Sequence, residues 1–367
     1  MRLKKVLIIN EGFSSNLGDQ AINQSATALM QQLGFDTDFL FFSNPSLSSL
    51  PPYSYQNAPV THKPSAVSRI IPAAIKQWIV AAKYYVQLQK NIRLALQGKD
   101  YQYLVIGGGQ LLNSSKKTSI SFFAIAMYCW VNGFKKSCNG KVVFAAVGAS
   151  GNYGRIEKFL YKKALQQADK IWVRDAFSAN ILQQEFQRLC SEVPDIAFYT
   201  QQVPAGSNNR STALLGIYGY AEIKEAFGNR YPTAESYYNE WQQKLVQYQE
   251  QGYPVKLFYT TQHDAAETRN FQQYLQQQGI TVAIEPTNSL EALMAALRNA
   301  AIVYSARMHA LILALQCGCR VELYPISQKL LSFGEKYLQQ GKSMEAYRHE
   351  LLQQFEHYFL HGLTPVE

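Results

Sequence analysis

The amino-acid sequence predicts an α/β protein with two domains, each a parallel sheet covered by helices. Short apolar runs alternate with helical patterns along almost the whole chain, which is typical of parallel strands joined by helical crossovers. The 367 residues exceed what one hydrophobic core usually holds, and the 47% hydrophobic content is enough to build two cores. A polar segment rich in glycine, asparagine and serine, residues 204–211, marks the predicted boundary.

We therefore expect an N-terminal domain over residues 1–203, a C-terminal domain over 212–335 and a C-terminal helical tail over 336–367. Two Rossmann-like domains place their ligands beyond the carboxyl ends of the strands, so a central cleft is expected. In the first domain the predicted elements are strands at 6–9, 39–42, 103–106, 142–147 and 171–173 and a first helix at 20–33. In the second they are strands at 213–218, 255–259, 282–284 and 302–304 and helices at 234–251, 266–278 and 290–297.

The segment from Ser305 to His309 is the strongest candidate for a chemical site. It follows a predicted buried strand, Ser305 is predicted to cap a helix with apolar residues at helical spacing, and Gly318 is predicted to end that helix. A helix N-terminus attracts anions, and the Arg307 guanidinium can hold a carboxylate or phosphate through two hydrogen bonds. His309 adds a group that exchanges a proton near neutral pH. The alternative is that Arg307 forms a surface ion pair and His309 only packs.

Further polar or glycine-rich groups follow other predicted strands. They are Asn16-Leu17-Gly18-Asp19, Gly107-Gly108-Gly109, Arg174-Asp175 and Gln262-His263-Asp264. The glycines allow backbone to approach a ligand closely, and Asp19 either caps a helix or orients and deprotonates a hydroxyl. The triple glycine lacks the G-x-G-x-x-G spacing, and no P-loop, G-x-S-x-G or HExxH motif occurs in the sequence. No metal is expected, because the sequence shows no clustered ligands.

The basic residues are concentrated in the first half of the chain. Residues 1–156 carry 16 Lys and Arg against 5 Asp and Glu, a net charge of +11, whereas residues 157–367 carry 19 against 21, a net charge of −2. Cations recur every seven residues in a helical stretch, at Arg69, Lys76, Lys83 and Lys90. This pattern fits either a helix resting on anionic lipid or a solvated basic face. No nucleic-acid-binding signature accompanies the charge.

The sequence favours a cytoplasmic protein and leaves open a peripheral association with the cytoplasmic face of the membrane. The longest strongly apolar run, residues 120–131, is shorter than the roughly 20 residues that span a bilayer, and the N-terminal residues lead into a predicted strand instead of a secretory signal. The five cysteines match no metal-binding spacing, so reduced thiols are expected.

Taken in order, these segments resemble the polysaccharide pyruvyl transferase family. The matching segments are Asn16 to Ile22, Ile106 to Gly109, Val173 to Asp175, Asp195 to Phe198, Ser305 to Ile312 and Tyr324 to Phe333. The chain departs from the family pattern in two places. Ile196 follows Asp195 where the family often has proline, and residues 44–100 match nothing in it, which concerns the acceptor side.

The resemblance implies a GT-B-like fold and transfer of the enolpyruvyl group of phosphoenolpyruvate to sugar hydroxyls of a cell-surface polysaccharide precursor. The product is a pyruvate ketal, phosphate is released, and phosphoenolpyruvate is a donor substrate, so no cofactor is expected. The acceptor is a saccharide, which the family often receives linked to a lipid. The catalytic residues implied are His309, Arg307 and Asp19, and the substrate-binding residues are Asn16, Gly18, Gly107, Gly108, Gly109, Arg174, Ser305 and Lys329.

Two other functions remain open from the sequence. One is a nucleotide-sugar glycosyltransferase of the same architecture, in which arginine and lysine side chains would hold the diphosphate. The other is a non-enzymatic protein that binds polyanions at the membrane surface, which rests on the charge asymmetry alone.

Overall fold

The computed structural model describes residues 4–46, 73–115, 120–200, 210–227, 230–339 and 341–362. The strands are β1 Lys5–Asn10, β2 Asp36–Phe41, β3 Tyr103–Gly107, β4 Lys141–Val147, β5 Lys170–Val173, β6 Ser191–Glu192, β7 Thr212–Gly216, β8 Val255–Leu257, β9 Ala283–Ile284, β10 Ala300–Ser305 and β11 Arg320–Leu323. The helices are α1 Leu17–Gln32, α2 Ala73–Leu96, α3 Phe122–Ser137, α4 Arg155–Leu165, α5 Ala176–Phe186, α6 Tyr220–Phe227, α7 Ala234–Glu250, α8 Gln262–Gln277, α9 Leu290–Asn299, α10 Met308–Gln316, α11 Gln328–Phe333 and α12 Met344–His361.

The strands form two separate parallel sheets. The first has the order β2-β1-β3-β4-β5-β6 and the second the order β11-β10-β7-β8-β9. Each sheet is joined by helical crossovers, so the predicted pair of Rossmann-like domains is confirmed. Every predicted strand is present. The sequence analysis did not predict β6 and β11, which are edge strands without a continuous apolar run.

The chain divides into two compact units by its internal contacts. The first unit comprises Met1–Phe13, Ile22–Tyr199 and Arg348–Glu367, and the second comprises Ser14–Ala21 and Thr200–Tyr347. This division differs from the predicted one at both ends of the chain. The first turn of α1 groups with the second unit, and the predicted tail is shared between the two units instead of standing alone.

The central strands of the first unit are buried on both faces. The side chains of Val6–Ile9, Leu104–Ile106 and Val142–Val147 are fully shielded from solvent, as expected where helices cover both sides of a parallel sheet. The apolar run at 120–131 falls mainly in α3, a core helix whose Trp130 is fully buried. None of the helices in the described ranges is long and apolar enough to cross a membrane.

Helix α12 supplies aromatic side chains to the core of the first unit. Phe355 stacks on Trp172 of β5 with a ring separation of 4.5 Å, and Phe359 meets Tyr103 of β3 edge-on at 4.8 Å. Aromatic pairs of this kind contribute about 0.5 to 1.5 kcal/mol each beyond the apolar area that they bury. Helix α12 is therefore part of this core.

A tight glycine turn ends β3. Gly108 has a φ of +63°, its N–H donates to the Ala145 carbonyl at 2.7 Å, and the Gly109 carbonyl accepts from the Gly148 N–H at 2.8 Å. A Cβ on Gly108 would lie 2.3 Å from Cγ2 of Ile22 and 2.8 Å from Cγ2 of Ile196. Both the backbone conformation and the space at this position require glycine.

We expect Gly108→Ala to lower the free energy of unfolding by about 2 to 5 kcal/mol. The left-handed conformation costs about 1 to 2 kcal/mol for alanine, and displacing packed isoleucines costs about 1 to 3 kcal/mol more. Gly98→Ala is the matched control, since Gly98 has a φ of +67° but no atom within 4 Å of an added Cβ. Urea unfolding of both variants measures the difference, and equal costs would contradict the packing contribution.

Candidate active site

The turn after β10 carries the Ser305 to His309 segment in the second unit. Ser305 is not the helix cap, so this prediction is wrong. Arg307 occupies the cap position of α10, and the Ser305 hydroxyl accepts from the Arg307 N–H at 3.1 Å and donates to the Gly216 carbonyl at 3.3 Å. Ser305 thus joins the ends of β10 and β7, and α10 begins two residues later than predicted. Gly318 ends this helix as predicted, with a φ of +74°.

The Arg307 guanidinium is held by a buried carboxylate. Its Nε donates to Asp264 Oδ2 at 2.8 Å and its Nη2 to Asp264 Oδ1 at 2.6 Å, in the two-bond arrangement that suits arginine. Asp264 is 1% exposed and lies in the first turn of α8, and the guanidinium also stacks 4.0 Å above the Tyr218 ring. Burial alone would lower the pKa of Arg307, but the Asp264 carboxylate raises it above the ordinary value.

One further carboxylate acts on this pair. Glu222 of α6 accepts from His263 at 3.1 Å, and its charge acts on Arg307. Asp264 and Glu222 therefore offset the positive charge of Arg307, which reduces its long-range attraction for an anion. Glu267, on the same helix as Asp264, accepts from the Tyr220 N–H at 2.9 Å and from the Tyr238 hydroxyl.

The first turn of α1 presents Asp19 in the same unit. Asn16 caps this helix through its side chain, which accepts from the Gly18 N–H at 3.0 Å, and Leu17 N–H donates to the Thr260 carbonyl after β8 at 2.9 Å. The Ser14 hydroxyl donates to Asp19 Oδ2 at 3.0 Å. The helix cap is therefore Asn16, and the Asp19 carboxylate is available for another role.

Asp19, His309 and Lys329 form one electrostatic cluster. Burial raises the pKa of the Asp19 carboxyl above its ordinary value of 3.8, and the charges of His309 and Lys329 and the Ser14 hydrogen bond oppose this rise. A carboxyl with a raised pKa beside an imidazole is a candidate for proton transfer in a reaction. Lys329 lies in the first turn of α11, whose cap is Ser327.

The His309 ring lies directly against Gly18. A Cβ on Gly18 would fall 2.5 Å from His309 Nδ1 and 2.8 Å from its Cβ, so no larger residue fits without moving the imidazole. Two segments separated by almost 300 residues are thereby brought together. The predicted site residues Asn16, Gly18, Asp19, Ser305, Arg307, His309 and Lys329 all belong to the second unit.

The remaining predicted site residues belong to the first unit. Gly107–Gly109 form the turn after β3 described above, and Arg174 is 2% exposed. Its guanidinium donates to Asp195 Oδ2 at 3.2 Å and to Asp175 Oδ2 at 3.4 Å, and it fills the space beside Gly148. Asp175 also caps α5 by accepting from the Ser178 N–H at 2.7 Å. This buried network joins the segments that follow β4, β5 and β6 of the first sheet.

Sequence reasoning missed the partners of the two main site residues. Asp264 was recognised only as part of a polar triplet after a strand, and Ser14 and Tyr218 were not singled out. The usable signal was the position of Asp264 in the first turn of a helix after β8, because the carboxyl ends of β8 and β10 lie on the same edge of one parallel sheet.

The fold and this site define a two-domain α/β protein of the GT-B-like class. Among solved structures, the chain is similar to UDP-GlcNAc 2-epimerase from Methanocaldococcus jannaschii, with 11% identity, a TM-score of 0.51 and coverage of 97% of this chain and 92% of that one. It is also similar to S. aureus MnaA in complex with UDP, with 11% identity, a TM-score of 0.50 and coverage of 100% and 99%. At this identity the likeness shows the fold alone. A comparison with curated proteins gives no match.

The chain belongs to the polysaccharide pyruvyl transferase family. The family model matches residues 16–321, which begins at the Asn16 cap of α1 and ends in β11. The match therefore includes all strands from β2 to β10 and, except for Lys329, every predicted site residue. The enzyme class is accordingly a transferase of polysaccharide biosynthesis.

Removing the partner of Arg307 should be costly. We expect Asp264→Ala to lower the free energy of unfolding by about 3 kcal/mol, because a largely buried guanidinium loses its carboxylate, and Asp264→Ala/Arg307→Leu to recover a large part of that loss. Glu285→Ala is the control, since its 2.7 Å pair with Lys256 is far more exposed and such pairs contribute less than about 1 kcal/mol. Urea unfolding checks all three, and a double variant no more stable than Asp264→Ala would show that the unpaired charge is not the cause.

The raised pKa of Asp19 predicts a pH-dependent stability difference. The Asp19 carboxyl binds its proton more tightly in the folded protein than in the unfolded chain. The free energy of unfolding therefore falls as the pH rises from the ordinary pKa of 3.8 through the higher pKa of the folded protein. Asp19→Asn carries no charge at any pH and still accepts the Ser14 hydrogen bond. We expect this variant to unfold at a higher temperature than the wild type at pH 7 and to lose the advantage toward pH 4. A less stable variant at pH 7 would mean that attraction to His309 and Lys329 outweighs burial.

Proposed function

We propose that this protein transfers the enolpyruvyl group of phosphoenolpyruvate to hydroxyls of a saccharide, forming a pyruvate ketal and releasing phosphate. Family membership supports a pyruvyl group and a polysaccharide acceptor. The observation that carries the chemistry is the cluster in which the Asp19 carboxyl is coupled to both His309 and Lys329. It combines a proton donor, a proton acceptor and a cation in one place.

The proposed reaction needs one proton at carbon and one leaving phosphate. An acceptor hydroxyl adds its oxygen to C2 of phosphoenolpyruvate while C3 takes up a proton and becomes a methyl group. The bond from C2 to the phosphate oxygen then breaks, and a second hydroxyl adds to C2 and gives up its proton. The two hydroxyl protons thus end on the methyl group and on phosphate, so the ketal and inorganic phosphate account for all atoms.

His309 is proposed as the acid that protonates C3. Its ring is fixed against Gly18, and the Asp19 carboxyl beside it would orient the acceptor hydroxyl and take its proton. A general acid of this kind usually accounts for a factor of about 10² to 10⁴ in rate. Lys329, in electrostatic contact with Asp19, would help to neutralise the phosphate.

Arg307 is proposed to bind the carboxylate or the phosphate of the donor. Asp264 already takes its Nε and Nη2, so the donor would meet the Nη1 side of the guanidinium. In this proposal Asp264 is a positioning residue, because it fixes the orientation of Arg307 without touching the donor. Ser305 and Asn16 likewise fix the turns that carry Arg307 and Asp19.

Arg174 and the glycines of the first unit are not assigned to the donor. Arg174 is almost completely buried and is paired with two carboxylates, those of Asp175 and Asp195. These contacts support a structural role in which Arg174 fixes the loops at the end of the first sheet. Gly107–Gly109 would then offer backbone, rather than side chains, to the acceptor saccharide. A saccharide linked to a lipid on the cytoplasmic face of the membrane fits the expected location of the protein.

A nucleotide-sugar glycosyltransferase is the alternative, and the fold of a UDP-bound protein such as S. aureus MnaA gives it some weight. Thermal unfolding with phosphoenolpyruvate and, separately, with UDP-sugars discriminates between them. A ligand at 100 times its Kd stabilises by about 2.7 kcal/mol, so the true donor raises the unfolding temperature. Stabilisation by a UDP-sugar and not by phosphoenolpyruvate would overturn the proposed donor.

We expect His309→Ala to keep its stabilisation by phosphoenolpyruvate but to release phosphate in the presence of acceptor about 10² to 10⁴ times more slowly. His309→Gln should be equally slow, because an amide accepts and donates hydrogen bonds but does not give up a proton near neutral pH. Wild-type phosphate release by either variant would remove His309 from the mechanism.

Gly18→Ala tests the position of the same imidazole without changing its chemistry. Alanine gains up to about 1 kcal/mol in helix propensity, but its Cβ would overlap the Cβ and ring of His309, and relieving such an overlap costs about 1 to 3 kcal/mol. We therefore expect a destabilisation of at most about 2 kcal/mol and a displaced His309 ring. Phosphate release should therefore fall while the fold is retained. Unchanged turnover would show that the contact between His309 and Gly18 has no part in the reaction.

A further inference from the structure

Helix α2 of the first unit exposes large apolar side chains that the described residues of this unit do not cover. Val86 is 65% exposed, Leu94 59% and Trp78 51%, and the others in this group are Ile75, Ile79 and Val80. Single exposed apolar residues are ordinary on a soluble domain, but a series along one helix marks an interaction surface. Lys83, Lys90 and Arg93 are exposed beside them, and Lys76 is half-buried.

Four of these exposed apolar residues, Ile75, Ile79, Val86 and Leu94, lie on the face opposite the core contacts. Ala81, Leu88, Ile92 and Leu96 are buried and repeat at helical spacing. At about 100° per residue, Ile79, Val86 and Lys90 point about 140° to 180° away from Ala81. The apolar and basic side chains therefore occupy one continuous strip, which we call the α2 surface, comprising Ile75, Ile79, Val86, Leu94, Lys76, Lys83, Lys90 and Arg93.

The charge of the α2 surface has a single sign. The helix Ala73–Leu96 contains four cations and no acidic residue, and Asp100 is the first acidic residue after it. Helix α12, by contrast, carries acidic residues among its bases, beginning with Glu345 in its first turn. A helix with only positive charge favours a negatively charged partner.

We infer that the α2 surface lies on an anionic membrane surface, with its apolar side chains in the boundary between headgroups and acyl chains and its lysines against the headgroups. Helices that lie in a bilayer interface combine Trp, Leu and other apolar residues with Lys and Arg in this way. Interfaces between proteins are depleted in lysine, and contacts with nucleic acid phosphates do not need exposed valine and isoleucine. This inference does not rest on the proposed reaction.

The structure changes the mode of binding expected from the sequence. The sequence pattern combined apolar residues at helical spacing with four cations, and the expected docking was assigned to the cations, including Arg69, which lies outside the described residues. The exposed apolar residues add a contribution that salt does not screen, whereas the lysines act only within a Debye length of roughly 8 to 10 Å. Binding should therefore weaken with salt without disappearing.

Co-sedimentation with vesicles of phosphatidylglycerol and phosphatidylcholine tests the inference on the full chain. We expect binding to fall about fivefold for each cation removed in Lys83→Gln/Lys90→Gln, and about tenfold or more in Ile79→Ser/Val86→Ser. All four positions are exposed, so the unfolding temperature should not change. The matched control is Lys162→Gln/Lys163→Gln with Phe159→Ser, which removes two exposed cations and one exposed ring from α4 and should leave binding intact.

Tryptophan emission provides a second measurement. The other three tryptophans, Trp130, Trp172 and Trp241, are buried, so in Trp78→Phe/Val86→Trp a blue shift of the emission on adding vesicles reports the α2 surface entering the interface. Trp78→Phe alone should show no such shift and keep most of the binding, because position 78 lies outside the α2 surface. Equal binding to pure phosphatidylcholine, no binding to anionic vesicles, or an equal loss in the α4 control would overturn the inference. A dimer that dissociates in Ile79→Ser/Val86→Ser would assign the α2 surface to a second copy of this chain instead.

Discussion

Each unit depends on one arginine whose charge is balanced by carboxylates at the end of its sheet. In the first unit Arg174 is paired with Asp195 and Asp175, and in the second Arg307 is paired with Asp264. Such pairs add little net stability, because desolvation offsets most of the attraction, but losing one partner is expensive. Their effect is to fix the loops that follow the strands, which is where the site residues lie.

This arrangement limits what Arg307 can contribute to anion binding. The Nε and Nη2 groups of Arg307 already donate to Asp264, and the negative charge of Glu222 also acts on the guanidinium. A rigid guanidinium in an acidic setting selects by geometry more than by long-range attraction. Lys329 and His309 are then the groups that can respond to a bound phosphate. Asp264 holds the Arg307 guanidinium in one orientation, whereas His309 and Lys329 act electrostatically on Asp19. A site that combines these groups suits a reaction that both binds an anion and expels one.

Much of the fold was predictable because its strands are continuous apolar runs. The buried runs at Val6–Ile9 and Val142–Val147 identified strands without tertiary information, whereas β6 and β11 are short, partly exposed edge strands with no such run. The ordered motifs identified the family, but they did not identify contacts. The pairing of Arg307 with Asp264 and the cap position of α10 depend on two loops meeting at one sheet edge, which a sequence pattern does not encode.

The contact between His309 and Gly18 shows how such long-range constraints shape a sequence. Nothing in the first turn of α1 requires glycine, because Gly18 does not adopt a left-handed conformation and alanine would favour the helix. The requirement comes from the imidazole that packs against it from α10. Asp19 is the next residue, and its burial raises the pKa of its carboxyl. Gly18 is a poor choice for an isolated helix, whereas Asp19 suits the first turn of a helix but loses solvent in this fold. Sites where such local preferences are overruled are where function is expected.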